Sequence, residues 1–371
     1  MNVRQRQSNR RHRHALLLLL GFTVLGLAAC SGSGPASTLE PKGPVAEDID
    51  RLWDIVFWAA VVIFVLVEAA LVYALWRFRE RRDPEHRPKQ VHGNTRLEVV
   101  WTIIPAVILA IIAVPTLTTL FDIRTVESGE GVFELEVIGH QWWWEVDYPA
   151  YGLETANEIH IPEDTEIRIT LTSADVIHSF WVPPLAGKRD AVPGRLSTMK
   201  LTADDPTPPG ESIPGQCAEF CGLAHADMRF KVFVHTAEDF EAWVESQLEP
   251  AVIPTEGLAA AGWDTYSQVC TACHQATVID ADGVIERVGQ SAEEWAYAPD
   301  LTHFGSRTTF AGAKYENNTE LLTEWLHDPS LLKPMDPDRN DIPNGRILGM
   351  PNFNLTPDEI DGLIALLQGW R

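Results

Sequence analysis

Basic residues are scarce in this sequence. The chain has 29 Lys and Arg residues against 52 Asp and Glu residues, which gives a formal net charge of −23 at pH 7. Because nucleic-acid phosphates repel a surface of this sign, nucleic acid is excluded as a partner. A basic protein is the partner that such an acidic surface favours.

Cysteine is also scarce, with five residues in a chain of 371. They comprise a lone Cys30, a C-x-x-x-C pair (Cys217 and Cys221) and a C-x-x-C pair (Cys270 and Cys273). Each group has its own chemical context, so no cysteine is left for a disulfide framework.

The apolar content of 45% is typical of a folded protein, and the length predicts two or three domains.

The N-terminus has the order of regions that marks exported proteins. Arginines and no acids come first, then the apolar stretch Ala15–Leu27 and small residues, which predicts a signal peptide over residues 1–29. The ending Leu27-Ala28-Ala29-Cys30 resembles a bacterial lipobox, which implies cleavage before Cys30 and lipid on its sulfur. The alternative is an uncleaved signal anchor with an incidental cysteine. Residues 30–48 are predicted to be a tether.

Two long apolar runs follow, Leu52–Trp76 and Val99–Leu120. Each exceeds the ~20 residues that cross a bilayer core. The loop between them is rich in Arg and Lys, which places it in the cytoplasm and everything after residue 121 outside. We therefore predict a transmembrane hairpin over residues 49–121. Glu68 within it either is functional or meets a polar partner on an adjoining subunit, and Glu98 suits the start of a helix.

Hydrophobic residues then alternate with polar ones. Phe133, Leu135 and Val137 form one such series, and Ile167–Leu171 forms another. This period of two predicts half-buried antiparallel strands. With the Pro and Gly turns that follow, it indicates a β-sandwich or barrel over residues 122–245.

Soft metal ligands are concentrated in one loop of this region. Cys217, Cys221, His225 and Met228, together with the distant His178, form a donor set suited to copper. Two thiolates can bridge two ions with one histidine on each, which leaves no open position for a substrate and suits an electron relay. The alternatives are a structural zinc site, which would not need the methionine, or a disulfide within the loop.

The C-terminal part carries a second cofactor motif. After a Pro- and Gly-containing linker at residues 246–258, the run Cys270-Thr271-Ala272-Cys273-His274 matches the attachment signature of c-type haem, with His274 as proximal iron ligand. An isolated C-x-x-C could instead be redox-active or bind zinc. Met350 is the predicted sixth ligand and Met335 the alternative, since the segment around Met350 resembles the ending of class I cytochromes c. We predict a small helical domain over residues 259–371.

The copper motif identifies a family. Cys217-x-Glu219-x-Cys221-Gly222-x-x-His225-x-x-Met228, preceded by Asp175-Val176-x-His178, resembles the dinuclear copper (CuA) centre of cytochrome c oxidase subunit II. Residues 98–106, 139–144 and 190–195 also match, so the resemblance covers roughly residues 45–245. When the haem motif is included, the resemblance is to the caa-type oxidases, which carry a fused cytochrome c. It implies a multi-domain membrane protein with a two-helix hairpin, a cupredoxin-like β-sandwich and a small all-α cytochrome c domain.

The resemblance also implies how the copper is held. Cys217 and Cys221 bridge the two ions, His178 and His225 terminate them, and Met228 is a weak ligand.

Three further residues receive roles in the same way. Glu219 gives a backbone carbonyl to copper and its carboxylate to a magnesium ion shared with subunit I. Trp142 receives incoming electrons, although a buried sheet aromatic is an equally good interpretation from sequence. Glu98 stands at the mouth of a proton channel that leads into subunit I.

The implied function is electron transfer in a terminal respiratory oxidase of the bacterial inner membrane. Electrons come from a basic cytochrome c or an upstream respiratory complex and pass through haem c and copper to haem in subunit I. There O2 is reduced to water with proton pumping, and subunit III and membrane lipid are further partners.

Three alternatives are weighed against this function. The first is a membrane-anchored carrier or copper-binding lipoprotein without an oxidase partner, which would need neither Glu98 nor two spans. Nitrous oxide reductase has the same copper centre but adds a His-rich domain that these 371 residues do not contain. Quinol oxidase subunit II shares the architecture but lacks the copper ligands, all of which occur here.

Overall fold

The computed structural model describes residues 34–79, 93–126, 129, 132–289, 298–337 and 348–371. The predicted signal peptide, Cys30 and most of the basic loop between the apolar runs lie outside these residues.

Two long helices form the predicted hairpin, α1 (Pro44–Arg77) and α2 (Thr95–Arg124), and they contact each other. Each extends beyond its apolar run at both ends. Proline at the first turn of α1 suits a helix start, and the Asn94 side chain caps α2 by accepting hydrogen bonds from the backbone N–H groups of Arg96 and Leu97. Both helices are long and apolar enough to cross a membrane.

The hairpin is attached directly to the β-domain. Val45 belongs to the buried core of that domain, and Ile49 and Ile123 pack against it. A Cβ on Gly43 would collide with the carbonyl oxygen of Thr202, so glycine permits this close approach. The outer ends of α1 and α2 therefore share a hydrophobic core with the domain that they carry.

The β-domain is a sandwich of two five-stranded sheets, with strand orders β3-β2-β1-β5-β8 and β4-β10-β9-β6-β7. The strands are β1 (Phe133–His140), β2 (Trp143–Tyr148), β3 (Leu153–Ala156), β4 (Glu158–Pro162), β5 (Ile167–Ser173), β6 (His178–Trp181), β7 (Arg189–Ala191), β8 (Ser197–Leu201), β9 (Ile213–Cys217) and β10 (Arg229–His235). Large apolar side chains, among them Trp144, Phe180 and Phe230, fill the space between the sheets. This architecture confirms the predicted cupredoxin-like sandwich.

One pairing differs from the prediction. β1 and β5 run parallel, with Phe133 opposite Ile167, whereas their alternation was expected to mark antiparallel strands. Three strands intervene between them in the chain, which provides the crossover that a parallel pair requires. A period of two reports which faces are buried but not the relative direction of two strands.

In its described residues, the C-terminal domain has four α-helices: α4 (Gly257–Val269), α5 (Thr319–His327), α6 (Pro329–Leu332) and α7 (Pro357–Gly369). It is joined to the sandwich through α3 (Ala237–Gln247), which the Thr236 side chain caps. α4 and α7 cross at Gly262 and Gly362, where a Cβ on Gly262 would collide with the backbone of Gly362. Tyr266 and Trp370 pack edge to face beside this crossing, with ring centroids 5.0 Å apart.

This domain also contains short strands that the sequence analysis did not predict. They are β11 (Ala251–Val252), β12 (Ala276–Ile279), β13 (Ile285–Val288), β14 (Thr309–Phe310) and β15 (Tyr315–Glu316). β11 comes from the predicted linker and pairs in parallel with β12, so this part of the linker belongs to the C-terminal sheet. Segments of two to four residues are too short for a periodic pattern to reveal.

Candidate metal centre and adjoining cavity

The copper-motif residues lie on the loop between β9 and β10, which is fixed at both ends. The Cys217 N–H donates to the Met228 carbonyl at 2.9 Å, which closes the loop on itself. The next residue, Ala218, donates to the carbonyl of Ser179 in the segment that carries His178. His225 begins a single 3-10 turn (His225–Asp227) that returns the chain to β10.

This folding brings five soft donors together. The Cys217 and Cys221 sulfurs are 3.7 Å apart, too far for the ~2.05 Å bond of a disulfide. His178 Nδ1 lies 3.9 Å from Cys217 Sγ, and His225 Nδ1 lies 3.5 Å from Cys221 Sγ. Met228 Sδ is 3.8 Å from Cys221 Sγ. Two central sulfurs with an imidazole at each side match the donor arrangement that two bridged copper ions require.

His178 is held in place by residues outside the motif loop. Its Nε2 is 2.8 Å from Asp175 Oδ1, so Nδ1 faces the thiols. A Cβ on Gly139 would lie 2.7 Å from His178 Cδ2, so a glycine is needed behind the ring. Burial alone would lower the pKa of His178, but the hydrogen bond with Asp175 raises it above its usual value. Asp175 therefore orients a candidate ligand, a role that sequence analysis did not assign although the residue stands in the quoted motif.

The two thiols share one hydrogen bond, and their pKa values are shifted in opposite directions. This bond with Cys221, together with the one from His178, lowers the pKa of Cys217 to about 3, although burial opposes the shift. The same bond raises the pKa of Cys221. A thiolate is the form that binds metal, so the lowered pKa predisposes Cys217 to coordinate.

Glu219 lies between the two cysteines on the loop. Its backbone carbonyl oxygen is 3.2 Å from Cys217 Sγ, while its side chain is exposed on the outer surface. Beside it, Phe220 is 77% exposed and Leu223 is 64% exposed. The loop thus presents apolar side chains to its surroundings on the side away from the sandwich.

Trp142 lies directly against the motif loop. Its indole Nε1 donates to the Cys221 carbonyl at 3.1 Å, and Gln141 Nε2 donates to the same oxygen at 2.6 Å. Only 3% of Trp142 is exposed, because the C-terminal domain covers it.

A cavity in the C-terminal domain extends to this tryptophan. Cys270, Cys273, His274, Met350 and Met335 all line it, and so do five residues of the β-domain. These are Gln141, Trp142, Trp143, Ala156 and Asn157. The cavity therefore joins the C-x-x-C-H motif to the aromatic residue that contacts the metal loop.

The cavity residues differ in how they are held. His274 Nδ1 is 2.7 Å from the Pro299 carbonyl, which turns Nε2 toward the cavity. Met350 Sδ accepts from Trp325 Nε1 at 3.2 Å and packs on the core of the C-terminal domain. Met335 packs against the core of the β-domain instead.

Two buried polar atoms that line the cavity, Arg307 Nε and Tyr266 Oη, have no hydrogen-bond partner among the residues that the structure describes. Unpaired buried donors are costly, so they mark a place where a polar group of a ligand belongs. A haem carries two propionates, and a guanidinium with a phenol suits them, so the residues present fit this cofactor. Neither residue was predicted, because an isolated Arg or Tyr gives no sequence signal.

Glu98 lies far from both centres. It is in the first turn of α2, at the end opposite the β-domain, and the intervening helix is about 40 Å long.

A group of acidic residues lies where the β-domain meets the C-terminal domain. Carboxylate oxygens of Glu145, Asp147 and Glu154 lie within 4.8 Å of one another. Burial, followed by the neighbouring Glu145, raises the pKa of Asp147 to about 8, and burial followed by Asp300 raises that of Glu154 to about 7. Arg287 of the C-terminal domain pairs with Glu154 at 2.6 Å, so this group contributes to the contact between the domains.

Comparison with known proteins identifies the family. The model "Cytochrome C oxidase subunit II, transmembrane domain" matches residues 39–119, and "Cytochrome C oxidase subunit II, periplasmic domain" matches residues 151–234. Cytochrome c oxidase subunit 2 of Alkalihalophilus pseudofirmus is 37% identical over 362 residues, which cover 95% of this chain and 96% of that protein. The chain belongs to the cytochrome c oxidase subunit II family.

A second full-length relative gives the same assignment. Cytochrome c oxidase subunit 2 of Bacillus sp. PS3 is 34% identical over 366 residues, covering 96% of this chain and 97% of that one. The crystallised periplasmic domain of subunit II from Bradyrhizobium japonicum is 31% identical, with a TM-score of 0.31, and covers 33% of this chain and 96% of that one.

Membership of the subunit II family establishes the general role of the chain. It is a membrane-anchored electron-transfer subunit with an outer-face domain, and it works with subunit I in a haem–copper terminal oxidase, an oxidoreductase. The family implies copper of the CuA type, which the Cys217, Cys221 and His178 donors can bind.

Proposed function

We propose that this chain accepts electrons at a covalently bound haem c and passes them through a dinuclear copper centre to haem in subunit I, where O2 is reduced to water with proton pumping. The observation that carries this proposal is the shared cavity. The C-x-x-C-H motif and Trp142 line the same space, and the Trp142 indole donates to the carbonyl of Cys221. A single protein path therefore links the haem motif to the copper loop.

The copper ligands are Cys217, Cys221, His178, His225 and Met228, with the Glu219 carbonyl as a further oxygen donor. A bridged copper pair supplies one-electron redox chemistry with its charge shared over both ions. The chain's contribution is to hold the donors in advance: Asp175 fixes the His178 ring, and the hydrogen bond from the Cys217 N–H to the Met228 carbonyl closes the loop. These donors would fill the coordination positions of the copper ions, so no position is open to a substrate.

The haem ligands are Cys270 and Cys273 as thioethers, His274 as proximal ligand and Met350 as distal ligand. The Pro299 carbonyl orients His274, and the Trp325 indole orients the Met350 sulfur. These hydrogen bonds to Pro299 and from Trp325 orient the His274 and Met350 side chains toward the cavity.

The surroundings of the copper loop support the proposed partners. The exposed Phe220 and Leu223 form an apolar patch suited to burial against subunit I, and the exposed Glu219 carboxylate is placed to reach a magnesium ion shared with that subunit. The net charge of −23 favours a basic cytochrome c or a basic face of an upstream complex as electron donor. Subunit III completes the proposed assembly.

The proposed location is the bacterial inner membrane, with the copper and haem domains on its outer face. Two helices suited to crossing a membrane and the basic segment between them support this orientation. Lipidation of Cys30 would add an anchor on the same outer side.

Glu98 is proposed to stand at the mouth of a proton channel into subunit I. Glu98→Gln keeps the size of the side chain but removes the proton-binding carboxylate, so oxidase turnover should fall about 100-fold, the lower end of the range that proton-transfer groups contribute. O2 consumption by the assembled oxidase measures this effect. The copper and haem spectra should not change, and unchanged turnover would remove Glu98 from the channel.

Electron paramagnetic resonance of the full chain, with haem attached and copper loaded, tests the proposed function. One unpaired electron shared equally by two coppers is the expected copper signal, together with a low-spin haem spectrum. A single-copper signal at full copper occupancy would contradict the dinuclear centre. Absence of covalent haem after expression with a haem-attachment system would contradict the electron path and favour a copper-binding lipoprotein.

A further inference from the structure

The C-terminal domain inserts a hairpin into the β-domain. β14 and β15 are joined by a turn in which Ala311, Gly312 and Ala313 all have positive φ. The Gly312 carbonyl accepts from the Arg229 N–H at 3.0 Å, directly after the copper loop. A Cβ on Gly312 would lie 2.9 Å from the Trp142 carbonyl oxygen, so the turn packs tightly between Trp142 and the copper loop.

Two charged side chains at this contact are almost completely buried, Lys333 and Glu158, each 3% exposed. Lys333 Nζ donates to the Trp142 carbonyl and to the Ala311 carbonyl, both at 2.8 Å. One lysine therefore joins the backbone of the tryptophan to the tip of the inserted hairpin. Burial lowers the pKa of Lys333 to about 7, which agrees with a site that excludes water.

Glu158 belongs to the β-domain, and all of the described hydrogen bonds of its side chain cross to the hairpin segment. Its Oε1 accepts from the hydroxyl groups of Thr308 and Thr309, each at 2.7 Å. The same oxygen accepts from the two backbone N–H groups at 3.0 and 2.8 Å. Four donors on one carboxylate oxygen specify a single position of the hairpin.

Both of these side chains are bonded across the domain contact, Glu158 to the hairpin and Lys333 to the Trp142 carbonyl, and Lys333 also bonds the Ala311 carbonyl of its own domain. Burying a charge is costly, and each of these side chains finds hydrogen-bond partners across the interface. Where two domains could meet in several registers, buried charges of this kind select one of them. The more exposed pairs at the edge, Lys314 with Asp227 and Arg287 with Glu154, contribute less to that selection.

We propose that Lys333 and Glu158 are positioning residues that hold the haem cavity in one fixed register against Trp142, so that electron transfer from haem to copper does not wait for domain docking. This inference rests on the proposed function and concerns the geometry of the path rather than the cofactors. It also accounts for the burial of Trp142, which leaves the C-terminal domain as the surface that an external donor must meet.

The test compares the full chain in the assembled oxidase with Lys333→Leu, which removes both hydrogen bonds without offering a new haem ligand. Pulsed electron paramagnetic resonance measures the distribution of haem–copper distances, and flash reduction of the haem measures the rate of copper reduction. The parent protein should give one narrow distribution and a rate independent of viscosity. Lys333→Leu should broaden the distribution, make the rate depend on viscosity and lower it about tenfold, the factor that ~1.4 kcal/mol represents.

Glu158→Gln supplies a second variant, from the other domain, in case Lys333→Leu does not assemble. It keeps the shape of the side chain but removes its charge, and it should broaden the distances in the same direction. Lys188→Met is the control, because Lys188 is an exposed lysine that takes part in none of the hairpin contacts given above. It should leave both measurements unchanged.

The outcomes separate this inference from the proposed function. Normal copper and haem spectra, with a narrow distance distribution and an unchanged rate in both Lys333→Leu and Glu158→Gln, would overturn the positioning role alone. Absence of the haem or copper signal from the parent protein would overturn the proposed function itself.

Discussion

Cys217→Ser should abolish the dinuclear copper signal and reduce electron transfer from this chain to subunit I by more than about 100-fold, beyond the loss typical of residues that only orient a ligand. Serine fills nearly the same space, but its oxygen is a hard donor that does not bridge two copper ions as a thiolate does. Cys217 contacts Cys221, His178 and the Glu219 carbonyl, so no other residue at the site can replace it. Copper content per chain and the paramagnetic spectrum measure the change.

Glu219→Gln is the matched control for this prediction, because it changes a side chain in the same loop. Its backbone carbonyl, which faces Cys217, remains in place, so the copper spectrum should be retained. If Cys217→Ser kept a two-copper spectrum, the assignment of this cysteine as a bridging ligand would be wrong.

Met350→Ala should remove the distal haem ligand and lower the midpoint potential of the haem by on the order of 100 mV, a fraction of the range that axial ligands span. Methionine paired with histidine raises the potential of a haem, and alanine offers no ligand atom. The measurement is a redox titration followed by optical spectroscopy, with the spectrum changing to that of an iron without its sixth ligand.

Met335→Ala is the control here, since both methionines line the cavity. Met335 packs against the core of the β-domain, whereas Met350 packs within the C-terminal domain beside Trp325. Met335→Ala should therefore leave the haem spectrum intact. A changed spectrum in Met335→Ala with a normal one in Met350→Ala would reverse the assignment.

The parts of the fold that the sequence predicts well are those with a strong local signal. The apolar runs in α1 and α2 are long enough to be recognised without any tertiary information, and the ligands in the Cys217–Met228 loop have a spacing that few other functions require. The alternation in β1 and β5 correctly indicated a sandwich.

Features that depend on contacts between distant segments could not be predicted in this way. The parallel direction of β1 and β5 follows from the path of the chain between them. Lys333 and Glu158 are single charged residues whose neighbours in sequence give no sign that they are buried, and their partners lie 191 and 150 residues away. The contact between the domains was therefore visible only in three dimensions.

The attachment of α1 to the β-domain has a consequence for the preparation of soluble fragments. Residues just before and within α1 supply part of that domain: the Lys42 N–H donates to the Pro184 carbonyl, and the Lys42 carbonyl accepts from the Asp204 N–H. Val45 fills part of the core, and Ile49 packs against it. A fragment that starts after α2 loses these hydrogen bonds, and the apolar surface that Val45 and Ile49 cover becomes exposed to water. Grafting residues 42–49 back onto such a fragment would restore the missing edge without restoring the membrane span.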